Sequence, residues 1–332
     1  MSLSINSRVA SGLLLCVMAL CAFIGSAATP ASQYGNLTLV ADGYVWIENI
    51  WVNSQPHGDW LLFFSDSFRG EVVRVANDGN FTNELWVTGF YRVLGFSPSL
   101  DQSELFAVGW TSSTDYKIIA FSVATPQTWR MVATTELGGN GLGIDLLTNT
   151  LYTAGEFIPG NGVVFSMNMT GVVSNSTPTI NVSIPALYDH GLTAADGLWV
   201  YVSEVLNATV RRYNISHASP TGGRAEWINS YKAPGMEMLD DFSVSTELCQ
   251  SRTATMFGAD FWAGKVIAFA ADGSDQTSVE LVSGLYSPTS VRPGPLSDEG
   301  RRTLYISEGG GFDVFMNNRR LWKLTLDEAF QC

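Results

Sequence analysis

Positive charge is what this chain has least of. Lysine and arginine number 18 against 31 acidic residues, and the 332 residues sum to a formal charge of −13. Such a surface repels phosphates and anionic headgroups, so it excludes nucleic acid and anionic membranes as partners, while it favours solubility and suits cations. Charged residues of either sign make up only 15% of the chain, and there are 3 histidines and 4 cysteines. His57, His190 and His217 are the only bases a Ser-His-Asp triad could draw on, and nothing in the sequence points to one. His57 and His217 sit in turn-like surroundings and are expected on exposed loops. No G-x-S-x-G elbow, H-E-x-x-H pair, EF-hand loop or P-loop occurs. The glycine-rich run 138–143 lacks G-x-G-x-x-G spacing and fits the entry of a strand. Helical patterns longer than two turns, linkers and low-complexity tracts are also missing outside the N-terminus, which points to one domain.

The N-terminus is different. Arg8 precedes an apolar run of about 14 residues, and Gly25, Ser26, Ala27 and Ala28 follow it, the layout of a secretory signal peptide over residues 1–28. The run is shorter than the ~20 residues a membrane span needs, which leaves an uncleaved anchor as the alternative. Residues 29–332 are expected to form the mature chain, secreted and without a stable membrane span. Seven N-x-S/T sequons, at Asn36, Asn80, Asn168, Asn175, Asn181, Asn207 and Asn214, agree with export and glycosylation. Cys16 and Cys21 fall within the signal, so Cys249 and Cys332 remain. An even pair in an oxidising compartment implies one disulfide, with two free thiols as the alternative. Loss of Arg8 takes the formal charge from −13 to −14.

What is abundant is glycine, at 32 residues, and aromatics, at 12%. That balance fits an all-β chain with many turns. It also conceals a period. Six segments begin with a polar residue and continue with alternating apolar positions: 48–53, 92–97, 140–145, 190–195, 240–245 and 287–292, their first residues spaced by 44, 48, 50, 50 and 47. Apolar side chains at the third and fifth positions are the period-2 mark of a half-buried strand. A second strand follows each (60–65, 104–109, 150–154, 198–203, 253–258, 302–307), then a third (71–75, 116–123, 162–167, 209–215, 265–270, 320–326). About 47 residues suffice for one four-stranded antiparallel sheet, and six sheets around an axis make a six-bladed β-propeller. A sandwich or large barrel is the other architecture that such strand spacing allows. The segment 37–40 precedes the first unit and is expected to close the ring as an outer strand of the sixth blade.

In a propeller the first residues of the six segments, Glu48, Arg92, Asn140, His190, Asp240 and Ser287, would gather near one mouth of the axis. Carboxylates with an Asn carbonyl suit Ca²⁺ or Mg²⁺, and the histidine moves preference toward Zn²⁺ or Mn²⁺. The alternative is that polar residues at such a mouth simply face water.

The order of these residues resembles the senescence marker protein and gluconolactonase family of lactonases. Glu48 precedes Trp51, Asn140-Gly141-Leu142 and His190-Gly191-Leu192 stand where that family has Asn-Gly-Leu-like motifs, and Asp240-Asp241-Phe242 stands where it has Asp-Gly-hydrophobic. Residues 287–291 and 304–307 also look like its last blade. The resemblance implies a six-bladed propeller with one divalent cation on the axis, often Ca²⁺, held by Glu48, Asn140, His190 and Asp240. It also implies that Asp240 serves as the catalytic base. A substrate-orienting role for Arg92 rests on the repeat alignment alone. His190 in place of Asn and Asp241 in place of Gly are departures from the family pattern. The expected activity is hydrolysis of a small lactone or related ester. The competing reading is a secreted, non-enzymatic propeller that uses some of its 10 tryptophans to bind a protein, a glycan or a small ligand. A third is another propeller enzyme, such as one resembling strictosidine synthase. Nothing in the sequence fixes an oligomeric state.

Overall fold

The computed structural model describes residues 30–54, 60–76, 78, 80–135, 139–155, 162–169, 180–186, 189–195, 199–214, 227–245, 254–295, 302–310 and 319–327. Among these described residues twenty-four strands form six four-stranded antiparallel sheets, so the six-bladed propeller expected from the repeat is the fold. The first strand, β1 (Gly35–Tyr44), is set aside by the chain and used last. Blade 1 is β2 (Ile47–Ser54), β3 (Trp60–Asp66), β4 (Glu71–Val75) and β5 (Asn83–Val87). Blade 2 is β6 (Arg92–Pro98), β7 (Glu104–Ser112), β8 (Asp115–Ser122) and β9 (Trp129–Thr135). Blade 3 is β10 (Gly139–Asp145), β11 (Thr150–Gly155), β12 (Gly162–Asn168) and β13 (Ile180–Ala186). Blade 4 is β14 (Asp189–Ala195), β15 (Trp199–Glu204), β16 (Thr209–Asn214) and β17 (Trp227–Lys232). Blade 5 is β18 (Leu239–Ser245), β19 (Thr255–Asp260), β20 (Lys265–Ala270) and β21 (Ser278–Val282). Blade 6 is β22 (Pro288–Gly294), β23 (Thr303–Glu308) and β24 (Arg319–Leu326), completed by β1.

β1 pairs antiparallel with β24, from Gly35 opposite Leu326 to Tyr44 opposite Arg319. The strand expected over 37–40 is therefore present, longer than expected, and closes the ring. Gly35 is required there, since a Cβ at that position would come within 2.1 Å of the Thr325 carbonyl oxygen. The inner strands β2, β6, β10, β14, β18 and β22 each touch the next, and β22 touches β2.

The core lies between the blades, because a sheet with two apolar faces must bury both. The pleat sends successive side chains to opposite faces. In β3, Leu62 and Phe64 pack into the seam with blade 6, while Phe63 between them packs into the seam with blade 2. In β7, Leu105 and Ala107 face blade 1, and Phe106 and Val108 face blade 3. Trp86, Phe63, Phe64, Phe121, Phe242 and Phe257 are each under 2% exposed. At about 1.5–3 kcal/mol per large apolar side chain, these seams carry the stability of the ring.

Of the seven sequons, Asn36, Asn80, Asn168 and Asn207 are exposed and Asn214 is partly so. Asn175, the Asn181 side chain, His57, His217, Cys249, Cys332 and residues 1–29 lie outside the described residues. Among the described residues no helix is long and apolar enough to cross a membrane.

Candidate functional site on the propeller axis

Four inner strands share a local irregularity that no hydrophobic pattern announces. In blade 1, Ile47 pairs with Asp66 and Ile50 with Phe64, so Glu48 and Asn49 together oppose Ser65. In blade 3, Gly139 pairs with Gly155 and Leu142 with Thr153, leaving Asn140 and Gly141 opposite Ala154. Blade 4 does the same with His190 and Gly191, and blade 5 with Asp240 and Asp241. Each is a β-bulge, which bends the strand and re-aims a side chain that a regular pleat would send into a seam. The four residues expected to hold a metal thus occupy the same place on four blades. Glu48, Asn140 and Asp240 are 7%, 3% and 5% exposed. The backbone of His190 lies in β14, and its side chain is outside the described residues.

Glu48 and Asn140 are brought into contact. Asn140 Nδ2 donates to Glu48 Oε1 at 3.2 Å. The two residues stand on blades 1 and 3, so their side chains meet in front of blade 2, on the axial side of it. The other carboxylate oxygen, Oε2, accepts the indole N–H of Trp46. The Trp46 ring leans on Phe68 (centroids 5.3 Å apart) and on Phe261 of blade 5 (6.0 Å). Gly309 in blade 6 makes room for it, since a Cβ there would lie 2.9 Å from the indole. Trp46 therefore reaches from blade 1 past blade 6, over the candidate site.

Blades 2 and 6 depart from the aligned ring. Arg92 pairs regularly with Trp110, and the bulge of blade 2 falls later, at Gly95. Gly95 has φ +48°, and a Cβ there would come within 2.3 Å of the Asn140 carbonyl oxygen, so only glycine lets blades 2 and 3 approach at this point. Arg92 stands at the rim, its guanidinium 4.4 Å from the Phe68 ring centroid and 5.3 Å from that of Trp110. In blade 6 the bulged residue is Thr289. Its hydroxyl donates to the Ile47 carbonyl and joins the ring to blade 1. Ser287 lies just before β22, with φ +50°.

A second set of buried carboxylates holds the mouth in shape. Asp66, Glu204, Asp260 and Glu308 each end the second strand of a blade and are at most 4% exposed. Asp66 accepts the backbone N–H groups of Val45 and Trp46, both at 3.1 Å. Asp260 accepts those of Glu237 and Met238 at 2.9 and 3.1 Å, and Glu308 accepts that of Tyr286 at 2.9 Å. Arg69, Arg211 and Arg320 pair with Asp66, Glu204 and Glu308. Burial pushes the Asp66 and Glu308 carboxyls above the ordinary range in spite of these donors. Asp66, Asp260 and Glu308 thereby fix the turns that lead into β2, β18 and β22. For three of the four the sequence carries a signal, an acid followed four residues later by a small residue: Asp66 to Gly70, Glu204 to Ala208, Asp260 to Gly264. All three small residues adopt positive φ.

Asp241 does not turn toward the axis. Its Oδ2 accepts from Arg292 Nη2 at 2.5 Å and from the Ser290 hydroxyl at 2.8 Å, both in blade 6.

No protein-family model and no curated protein matches the chain. Solved structures do. A luciferin-regenerating enzyme superposes with a TM-score of 0.63 at 13% identity, over 90% of this chain and 97% of that one. A gluconolactonase of Xanthomonas campestris gives 0.61 at 13% identity, over 91% and 96%. The calcium-binding protein regucalcin of Agrobacterium tumefaciens gives 0.59 at 12% identity, over 89% and 94%.

The fold is that of the gluconolactonase- and regucalcin-like propellers.

At such identities the shared property is the fold, and the chemistry has to come from the residues. Carboxylates and a carboxamide, the side chains buried on three of these equivalent bulges, are the oxygen donors that a hard divalent cation takes, and Glu48 and Asn140 are in contact. Among the described residues, no three His, Cys, Asp or Glu side chains are grouped closely enough to hold a metal by themselves. Any such site would draw on Asn140 as well.

Proposed function

We propose that this propeller is a secreted, divalent-cation-dependent hydrolase of a small lactone or related ester. The observation that carries the reading is the contact of Glu48 with Asn140 in front of blade 2. Two of the four candidate ligands touch in a buried, polar position, on bulges equivalent to those in which residues 190 and 240 lie. The lactonase among the structures of like fold supports the reaction class, and regucalcin supports a calcium site.

Glu48, Asn140, His190 and Asp240 would hold the cation, with Ca²⁺ the first expectation and Mg²⁺, Mn²⁺ or Zn²⁺ the alternatives. A divalent ion held there would supply Lewis-acid polarisation of the ester carbonyl. Asp240, a buried carboxylate, would take the proton from the attacking water and return it to the alkoxide released when the ester C–O bond breaks. Asn140 keeps Glu48 oriented, and Arg92, stacked on Phe68 and Trp110 at the rim, orients an anionic substrate group. Trp46 closes over Glu48 and limits access of bulk water.

The test is a lactone panel assayed with Ca²⁺, Mg²⁺, Mn²⁺ and Zn²⁺ and after chelation. Glu48→Gln and Asp240→Asn are each expected to lower hydrolysis by at least about 100-fold, and chelation to abolish it. A folded protein that is silent on the whole panel with every ion overturns the reading and leaves ligand binding without catalysis. Export is proposed from the N-terminal segment and the sequons. Chain isolated from its producing cells is expected to start near residue 29 and to carry glycan at one or more of Asn36, Asn80, Asn168 and Asn207. N-terminal sequencing and glycopeptide mass spectrometry check both points.

A further inference from the structure

We propose that Arg292, Asp241 and Ser290 form an inter-blade clamp that aims Asp240 at the axis, with Asp241 as a positioning residue. The inference deepens the functional reading above and rests on it for its consequence, though not for its geometry.

The bulge of β18 places two buried acids side by side, Asp240 and Asp241. Two adjacent carboxylates repel, and a bulge leaves both side chains less constrained than a regular pleat does. Here one of them is committed elsewhere. Arg292, in the neighbouring strand β22 and only 17% exposed, donates Nη2 to Asp241 Oδ2. Its Nη1 donates to the Phe242 carbonyl at 2.5 Å and to its own neighbour's, Val291, at 3.0 Å. Ser290 adds a hydroxyl to the same Asp241 oxygen. The other Asp241 oxygen accepts the Phe242 N–H at 2.8 Å. Residues 241 and 242 are thus held to blade 6 by side chain and backbone together.

On the opposite side, the Ser203 hydroxyl of blade 4 donates to the Asp240 carbonyl at 2.9 Å. The main chain of residue 240 is gripped between the two neighbouring blades, and the charge of its neighbour is neutralised by a guanidinium. A planar donor that serves a carboxylate and a carbonyl at once is work for arginine; a lysine ammonium presents one point charge.

The experiment uses the full mature chain and Ca²⁺ alone as probe. Calorimetry on Arg292→Gln is expected to show Ca²⁺ affinity reduced by about tenfold or more, the scale on which supporting residues act on metal sites. Arg292→Lys should lie between it and the wild type. Breaking a buried ion pair can unfold a protein, so Asp241→Asn/Arg292→Gln, a neutral pair able to hydrogen-bond, is measured beside it. It is expected to recover affinity relative to Arg292→Gln. A purely structural role would lower Tm in these variants and leave the affinity of the folded fraction unchanged, and that result overturns the clamp. A wild type that takes up no Ca²⁺ removes the calcium reading instead. The clamp is then judged by crystal structures of Arg292→Lys and the neutral pair. An Asp240 carboxylate displaced in the lysine variant supports it, and one in the wild-type position in both overturns it.

Discussion

Asp66 shows how a single side chain can be indispensable here without taking part in chemistry. It ends a strand, accepts the two backbone donors of Val45 and Trp46, and so sets the turn from which Glu48 departs. Its carboxyl is raised by burial, with the backbone donors and Arg69 acting against the shift. A raised folded-state value means the folded chain holds the proton more tightly than the unfolded one. This group's contribution to stability is therefore complete below the ordinary carboxylate range and is lost as pH rises through the folded value. Asp66→Asn removes that titration. The stability advantage of wild type over Asp66→Asn is expected to shrink from acidic to neutral pH in denaturant unfolding at a series of pH values. An advantage that grows toward neutral pH contradicts the assignment. The exposed turn acids Asp78, Asp101 and Asp275 are lowered by hydrogen bonds and act with the opposite sign.

At the scale of the strand, alternation does most of the work. Phe64 is fully buried in the seam between blades 6 and 1. Phe64→Ala is expected to cost about 3–5 kcal/mol, while Thr38→Ala, on the exposed side of β1, should cost under about 0.5 kcal/mol. Equal losses in thermal unfolding would mean that the seams do not hold the ring. The same alternation made the fold legible. A period near 47, with an apolar fifth position in all six segments and an apolar third in every one but the last, where Thr289 stands, located all six inner strands, and the segment 37–40 announced the closing strand. Boundaries moved slightly, as where the second strand expected over 253–258 became Thr255–Asp260. The candidate site was half legible. Glu48, Asn140, His190 and Asp240 could be picked out because each is the polar residue before an apolar strand. Their bulges could not, since a bulge is a mismatch between two strands and has no period of its own. For the same reason Arg92 was aligned with the ring, although in blade 2 the mismatch falls at Gly95. Trp46 lies in a turn, where no hydrophobic period marks a side chain's direction, and Arg292 lies on a seam with its partner 51 residues away, a range that local pattern does not sample.

For the whole molecule, what matters is where the chain begins and ends its circuit. β1 has no partner in sequence near it: Gly35 to Tyr44 pair with Leu326 to Arg319. Pairing at that separation is slow, because the loop must close before any contact rewards it. A circular permutant that starts at Val45 and carries residues 30–44 after residue 332 on a flexible linker turns the closure into a local hairpin. It is expected to keep its Tm within a few degrees and to refold faster in stopped-flow measurements. A permutant that refolds no faster than wild type would show that ring closure does not limit folding. The order of synthesis adds something further. Of the propeller's strands β1 is made first, and it waits through five finished sheets and most of a sixth until its mate, β24, is delivered. For all that time its unpaired edge is open to any other extended chain nearby, so this protein is most vulnerable to self-association while it is being made, and safest from the moment its two ends meet.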